Sequence, residues 1–449
     1  MDIEEEERAL GRWPRRLLHV PTLRSYPWQP GNIYNNIKEP AYNALTYTWG
    51  HYRLHDSEFP EVHAIPITID GGSWDIPRIN PSHFTSDEFE AVVRKAGTFS
   101  LPTGSDSVQF LWLDIACIDQ REREPQSAAE IGRQGAIFEG ARHVFAWLTT
   151  HTSAALTELM AGIISDNAQI RPHPSRIQMQ HMTALLSDPW FSSLWTLQET
   201  FLRGEALLVS RGAELAVDPT SGSGAAYEFG WLAYVGTRWL DECTALLDSR
   251  PSGLANEDED VFARFVHVLE TAGLTQLYSW YPLATYAAAQ HRVASRPEDR
   301  IYGIQQIFGF RVGKSGASAR PGQTFDAEEL DELFGEQMLL RYPTMSQFHR
   351  FTRHVAPSRR WRLDARSMVV VESLTGFMTL PERAPAPPVQ SKFWVDHDCA
   401  LPKPVCWSGL TTPFVNIKRM WEDFLASSFF SRTPNMILMR GPNQKGIQL

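Results

Sequence analysis

Phe110-Leu-Trp-Leu-Asp-Ile-Ala-Cys-Ile118 is an almost unbroken apolar run, interrupted once by Asp114. A strand covered by helices on both faces has this composition, because neither side meets water. Upstream, Ala44-Leu-Thr-Tyr-Thr-Trp49 alternates, is rich in β-formers and stops at Gly50. Arg16-Leu-Leu-His-Val20 reads as an entry strand. Downstream, a helix over Ala128–Ala141 precedes the strand His143-Val-Phe-Ala-Trp-Leu148, and a second helix covers Ser153–Ile164. Asp188-Pro189 then supplies an N-cap and a proline at the first helical position, opening a helix over Trp190–Leu202. Ala206-Leu-Leu-Val-Ser210 closes the series as a strand. Strands alternating with helices predict an α/β fold, a Rossmann-like and mostly parallel sheet flanked by helices. Two smaller elements flank this core: a peripheral hairpin over residues 67–76, turned at Asp70-Gly71, and a short helix over Ser86–Lys95.

This first domain is assigned residues 1–215. A helical region, 216–312, runs from Tyr227 to about Phe310 and is broken by the acidic stretch Asn256–Asp260. Residues 313–449 are a linker, Gly/Ser/Ala-rich from Val312 to Gly322, and a mixed region of unknown role. In it fall a helix over Ala327–Leu340, short strands and the proline-rich Pro381–Pro388.

Composition narrows the function. The 449 residues are 43% hydrophobic with 15 tryptophans, enough to fill real cores. Forty-two basic against 52 acidic residues leave a net charge of −10, which argues against nucleic acid or an anionic membrane as the main partner. No apolar run reaches the ~18 residues of a membrane span. The start, Met-Asp-Ile followed by Glu4–Glu7, fits neither a signal peptide nor a transit peptide, so the expected location is cytoplasmic. The four cysteines read as reduced thiols; Cys399 and Cys406 near His397 have neither the spacing nor the second pair of a metal site, so no metal is expected. Gly309-Phe-Arg-Val-Gly-Lys-Ser315 is one residue short of a phosphate-binding loop and follows a helical pattern, and Gly222-Ser-Gly224 lacks the third glycine of a dinucleotide fingerprint. Neither a zincin helix nor a nucleophile elbow occurs.

Four blocks carry a resemblance. They are Tyr42-Asn-Ala-Leu-Thr-Tyr-Thr-Trp-Gly50, Leu111-Trp-Leu-Asp-Ile-Ala-Cys-Ile-Asp-Gln120, Gln134-Gly-Ala-Ile-Phe-Glu-Gly-Ala-Arg-His-Val-Phe-Ala-Trp-Leu148 and Pro189-Trp-Phe-Ser-Ser-Leu-Trp-Thr-Leu-Gln-Glu199. In this order they resemble the heterokaryon-incompatibility (HET) domain of filamentous fungi over residues 15–205. Arg292–Tyr302 echoes a later family stretch of the form Arg-x-Ala, then Pro-x-Asp-Arg-Ile-Tyr. Asp119, Gln134 and Thr149 depart from residues common there, namely Asn, Met and Gly. The resemblance implies a trigger of programmed cell death on non-self recognition. The HET domain is similar in outline to Toll/interleukin-receptor (TIR) domains, some of which cleave NAD with a glutamate set in a Trp-Cys-x-x-Glu helix. Trp195-Thr-Leu-Gln-Glu199 has that spacing, with Thr196 in place of Cys.

The residues themselves give a parallel reading. On a wheel of about 100° per residue, Trp190, Leu194, Leu197 and Phe201 share one stripe and enclose Gln198, whose amide is expected to be buried and bonded. Glu199 falls at the stripe's edge beside Trp195. There it is either a functional carboxyl of raised pKa or a solvated residue pairing with Arg203. Asp119 and Gln120 lie just past the carboxyl end of the 110–118 strand, where ligands gather in open α/β sheets. The alternatives are that Asp114 bonds nearby backbone and Asp119 caps the following loop. Trp49 and Gly50 end a strand on the same rim, the glycine permitting either close approach or a tight turn. Two functions remain open: an adaptor working through protein partners or self-association, and an NAD-consuming glycohydrolase with Glu199 as its catalytic carboxylate. NAD would be a substrate, and the sequence establishes no cofactor.

Overall fold

The computed structural model describes residues 3–55, 58–72, 74–99, 108–121, 125–164, 173–218, 226–249, 256–274, 282–316 and 323–342. Beyond these it describes residues 346, 349–351, 363–369, 392–394 and 406–408. The chain divides into two compact units, Met1–Gly335 and Glu336–Leu449.

In the first unit the strands of the main sheet are β1 (Arg16–His19), β2 (Arg24–Pro27), β3 (Tyr42–Thr46), β4 (Thr68–Ile69), β5 (Phe110–Trp112), β6 (Val144–Trp147) and β7 (Leu207–Val209), and a separate pair joins Ile33–Tyr34 to Ile37–Lys38. All seven share one sheet in the order β4-β2-β1-β5-β3-β6-β7. Pairings β2–β4, β3–β5, β3–β6 and β6–β7 are parallel, whereas β1 runs antiparallel to both its neighbours. The four strands expected from the sequence thus lie in one sheet. Numbered along the chain, the parallel set β3, β5, β6, β7 has the spatial order 2-1-3-4, a doubly wound arrangement. Strands β3, β5, β6 and β7 are buried throughout, β5 to β7 as apolar runs and β3 with its polar Asn43 and Thr46 hydrogen-bonded.

Helix α1 (Ile3–Leu10) precedes the sheet, and α2 (Ser86–Thr98) begins at a capping box between Thr85 and Glu88. A single helical turn, α3 (Asp114–Cys117), is followed by α4 (Pro125–Ile131), α5 (Gln134–Gly140), α6 (Ser153–Ile164), α7 (Arg176–Leu186) and α8 (Leu194–Leu202). Alternation along β3 sets the two faces. The Asn43 amide donates to the Ala96 carbonyl of α2 at 2.6 Å. On the opposite face the Tyr42 hydroxyl donates to the Ile137 carbonyl of α5 at 2.7 Å, and Trp190 Nε1 donates to Thr46 Oγ1 at 3.1 Å. The helical region follows as α9 (Phe229–Ser249), α10 (Asn256–Ala272), α11 (Pro282–Gln290) and α12 (Asp299–Tyr302), and then α13 (Ala327–Arg341). Among the described residues no helix is long and apolar enough to cross a membrane. In the second unit, Arg350–Phe351 pairs with Ser367–Met368, and Lys392–Trp394 with Cys406–Ser408.

Several expectations are corrected. The run 110–118 is a strand only to Trp112, and Asp114–Cys117 is helical. An apolar run buried on all sides has no period to tell strand from helix, and the Asp114 carboxyl starts the turn by accepting from the Ile115 amide at 2.7 Å. The helix placed at 128–141 is broken at Gly132 and Arg133. A Cβ on Gly132 would lie 2.9 Å from both Arg311 and Ser315, so this bend admits a later segment. The helix placed at 190–202 starts as a 3₁₀ turn, Pro189–Phe191, capped by Asp188 as anticipated, before α8 begins. The hairpin over 67–76 does not form: β4 pairs parallel with β2 at the sheet's edge, and residues 74–76 are not a strand. The acidic stretch at 256 opens α10 instead of breaking a helix, since Glu257, Asp258 and Glu259 lie at the positive end of its dipole. Helix α7 was not anticipated. Gly313–Ser315, read as linker, is an ordered turn, while 317–322, Gly222-Ser-Gly224, Pro381–Pro388, His397 and Cys399 lie outside the described residues.

Candidate functional site

Glu199 sits in the middle of α8, and its burial follows from what surrounds that helix. Trp190, Leu194 and Leu197 seat α8 on the sheet, all at most 2% exposed. Gln198 is fully buried, as expected. Its amide donates to Gln134 Oε1 at 2.9 Å, and its carbonyl accepts from the Gln306 backbone amide at 3.0 Å. Replacing Gln198 with Leu would leave both partners unpaired in the core. A loss of about 1–3 kcal/mol is expected in chemical unfolding of the full chain, and an unchanged midpoint would contradict the burial.

Glu199 itself is only 7% exposed, so it is neither an open rim residue nor a partner of Arg203. Arg203 instead donates to the carbonyls of Phe138 and Ala141, both at 2.6 Å, and pairs with Glu205. Burial pushes the Glu199 carboxyl up to about 8; the Thr46 hydroxyl pulls it back, and the negative charge of Asp114 adds to the rise. At neutral pH Glu199 is therefore largely protonated.

Asp114 approaches from the carboxyl end of β5. It keeps some accessible surface although its carboxyl group is densely enclosed by protein. One oxygen accepts from the Ile115 amide and the other from Trp49 Nε1 at 2.5 Å. Burial raises its pKa, while these donors and Tyr47 draw it back. The Tyr47 hydroxyl makes no hydrogen bond of ordinary geometry, yet it interacts with the Asp114 carboxyl and feels Glu199. Trp49, Asp114, Tyr47, Thr46 and Glu199 thus form one cluster at the carboxyl ends of β3 and β5, under α8.

The remaining candidates make no bond to the two carboxyls of that cluster. Asp119 forms an exposed pair with Arg121 at 2.5 Å, which helps hold its carboxyl below the ordinary range against partial burial. Gln120 donates to the carbonyls of Asp114 at 3.0 Å and Ile118 at 2.8 Å, so it braces the turn that presents Asp114. Gly50 is exposed, and nothing lies within 4 Å of where its Cβ would be, so no close approach calls for a glycine there. Trp195 is half-buried, and its indole donates to the Asp299 carboxyl.

The crevice of a doubly wound sheet opens where the chain reverses its winding, here between the carboxyl ends of β3 and β6. His83 fills it. Its Nε2 lies 2.6 Å from the Thr48 carbonyl and so carries the proton, which leaves Nδ1 to accept from Thr149 Oγ1 at 3.3 Å. Burial lowers its pKa, and Tyr52 stacks on the ring at 3.6 Å. Sequence reading missed His83, for which no local pattern exists. It also missed Thr46 and Tyr47, although alternation along β3 places them on opposite faces. Among the described residues no group of three His, Cys, Asp or Glu side chains could hold a metal ion.

The family described as heterokaryon incompatibility protein (HET) matches residues 42–199. No curated protein and no solved structure matches the chain. The match begins at β3 and ends at Glu199, so it spans the whole cluster. Two departures from the family pattern are accommodated by bonds: Gln134 accepts from Gln198, and Thr149 meets His83.

Proposed function

We propose, from the premise that this chain is a heterokaryon-incompatibility-domain protein, that it is a cell-death signalling protein acting in non-self recognition through contacts with other proteins or with itself. The observation that carries this reading is the closed state of Glu199. A glycohydrolase needs an ionised carboxylate facing a ribose, to stabilise positive charge as the glycosidic bond breaks. Here the carboxyl is 7% exposed and raised to about 8, which favours a neutral, packed group. The test is expression in a filamentous fungal host, scoring viability and cellular NAD together. Death with unchanged NAD is the expected outcome, and full viability would overturn the proposal.

A second reading rests on a different observation, the pairing of two carboxyls at strand ends where α/β sheets bind ligands. In it the domain consumes NAD, and Glu199 enters the site ionised when the cluster opens. Purified protein incubated with NAD would then release nicotinamide, and Glu199→Gln would abolish release without unfolding the chain. Release unaffected by that substitution would remove Glu199 from the chemistry. No release at concentrations where the chain self-associates would leave the signalling reading.

A further inference from the structure

Arg292, which opens the stretch that echoes the family's later motif, follows α11 and is 7% exposed. Its Nη1 donates to the carbonyls of Trp190 and Ser193, each at 3.0 Å, and to Thr196 Oγ1 at 3.3 Å. The other edge of the guanidinium, Nε and Nη2, is buried without any hydrogen-bond partner. Among the described residues no carboxyl pairs with it, and burial alone pushes its pKa down to about 9. A buried guanidinium without a counter-charge is strongly unfavourable, and the Nε–Nη2 edge presents two parallel N–H groups in the geometry that one oxyanion accepts.

Two features of the flanking helices bear on that edge, the first being Thr285, which precedes Arg292 by seven residues, about two helical turns. Thr285, on α11, is 1% exposed, and its hydroxyl also lacks a partner. Gly273, just past α10, has φ +64, and a Cβ there would lie 3.4 Å from Arg292 Nε and 3.1 Å from the Ala288 carbonyl. The free edge therefore borders the corner where α10 ends against α11, and the residue closing that corner is a glycine.

We propose that the Nε–Nη2 edge of Arg292, with the Thr285 hydroxyl, binds a small oxyanion, a carboxylate or a phosphate group, at the corner of α10 and α11. The anion supplies the missing counter-charge and accepts both N–H groups. Occupancy is coupled to α8. Nη1 of the same guanidinium holds the turn that begins α8, and the Val293 carbonyl accepts from the Leu194 amide at 3.0 Å. The site is thus joined through one side chain to the helix that bears Glu199.

Thermal unfolding of the full chain tests this. Tm is followed while sodium phosphate, or separately sodium acetate, replaces sodium chloride at constant ionic strength. A saturable rise in Tm with either anion is expected, and which anion produces it assigns phosphate or carboxylate. Arg292→Lys keeps the charge but loses the fork, and should weaken the apparent affinity roughly tenfold. Thr285→Val keeps the shape and should weaken it by a smaller factor, which keeps the proposal testable if the arginine variant does not fold. No rise beyond the chloride control with either anion would overturn the site, as would equal rises in the parent and in Thr285→Val.

Discussion

Glu199→Gln is expected to make the protein more stable than the parent chain at pH 9. The parent carboxyl has its folded pKa raised from 4.5 to about 8, so between those values the folded state holds a proton that the unfolded state has released. Parent stability therefore falls as pH rises through this window, by on the order of 3–5 kcal/mol if the whole shift is expressed. Asp114 is raised in the same direction, and two neighbouring carboxyls titrate as a pair, so the slope belongs to both. Glutamine keeps the shape, carries no charge, and can donate its amide to Asp114. Plotted against pH from 5 to 9, the variant's Tm should lose most of the parent's decline and cross above it. Parallel curves would show that Glu199 is solvated, and would withdraw the closed cluster on which the signalling proposal rests.

Glu130→Ala should be the most damaging single substitution away from that cluster. Glu130 is 1% exposed and lies between Arg15 and Arg133, themselves 7% and 6% exposed. It accepts from the Arg15 backbone amide at 2.8 Å and from Arg133 Nη1 at 2.9 Å, and Arg15 Nε lies 3.6 Å away. Burial raises its pKa, with both arginines opposing. Removing the acid takes the ion-pair partner from the buried Arg133 guanidinium and one of three from Arg15, which keeps Glu6 and Glu7, a loss of about 3–5 kcal/mol. Arg133 also donates to the carbonyls of Gly11 at 2.9 Å and Trp13 at 2.7 Å, so the segment after α1 should loosen too. Urea unfolding of the full chain is the measurement, and Glu130→Gln, which keeps one acceptor, should fall between variant and parent. An unchanged midpoint in Glu130→Ala would mean that the arginines find other partners.

How much of this was legible beforehand can be argued residue by residue. The apolar runs at 143–148 and 206–210 announced buried strands, because a strand covered on both faces is nearly apolar throughout, whereas 44–49 was read from alternation and the strand there is Tyr42–Thr46. Helix α6 was placed at its observed bounds by its period, and Asp188 was recognised as a cap by residue type. The four blocks were enough to point to the family that matches residues 42–199. Each of these is a local property, written within a few turns of helix or one strand.

The tertiary structure decided the rest. The acids Glu6 and Glu7 pair with Arg15 and Arg311, partners that no local pattern names. Whether Asp114 continued a strand or began a helical turn depended on which groups met its carboxyl, and Trp49 is distant in the chain. The wheel placed Glu199 at an edge because it sees one helix alone. Thr46 and Asp114 come to it from β3 and α3, and the segment following Arg292 is bound to α8 through Leu194 and Gln198. Periodicity tells which side of an element turns away from water. It carries no information about which polar group a distant segment will desolvate, and that desolvation sets the protonation of Glu199 and the charge left uncompensated on Arg292.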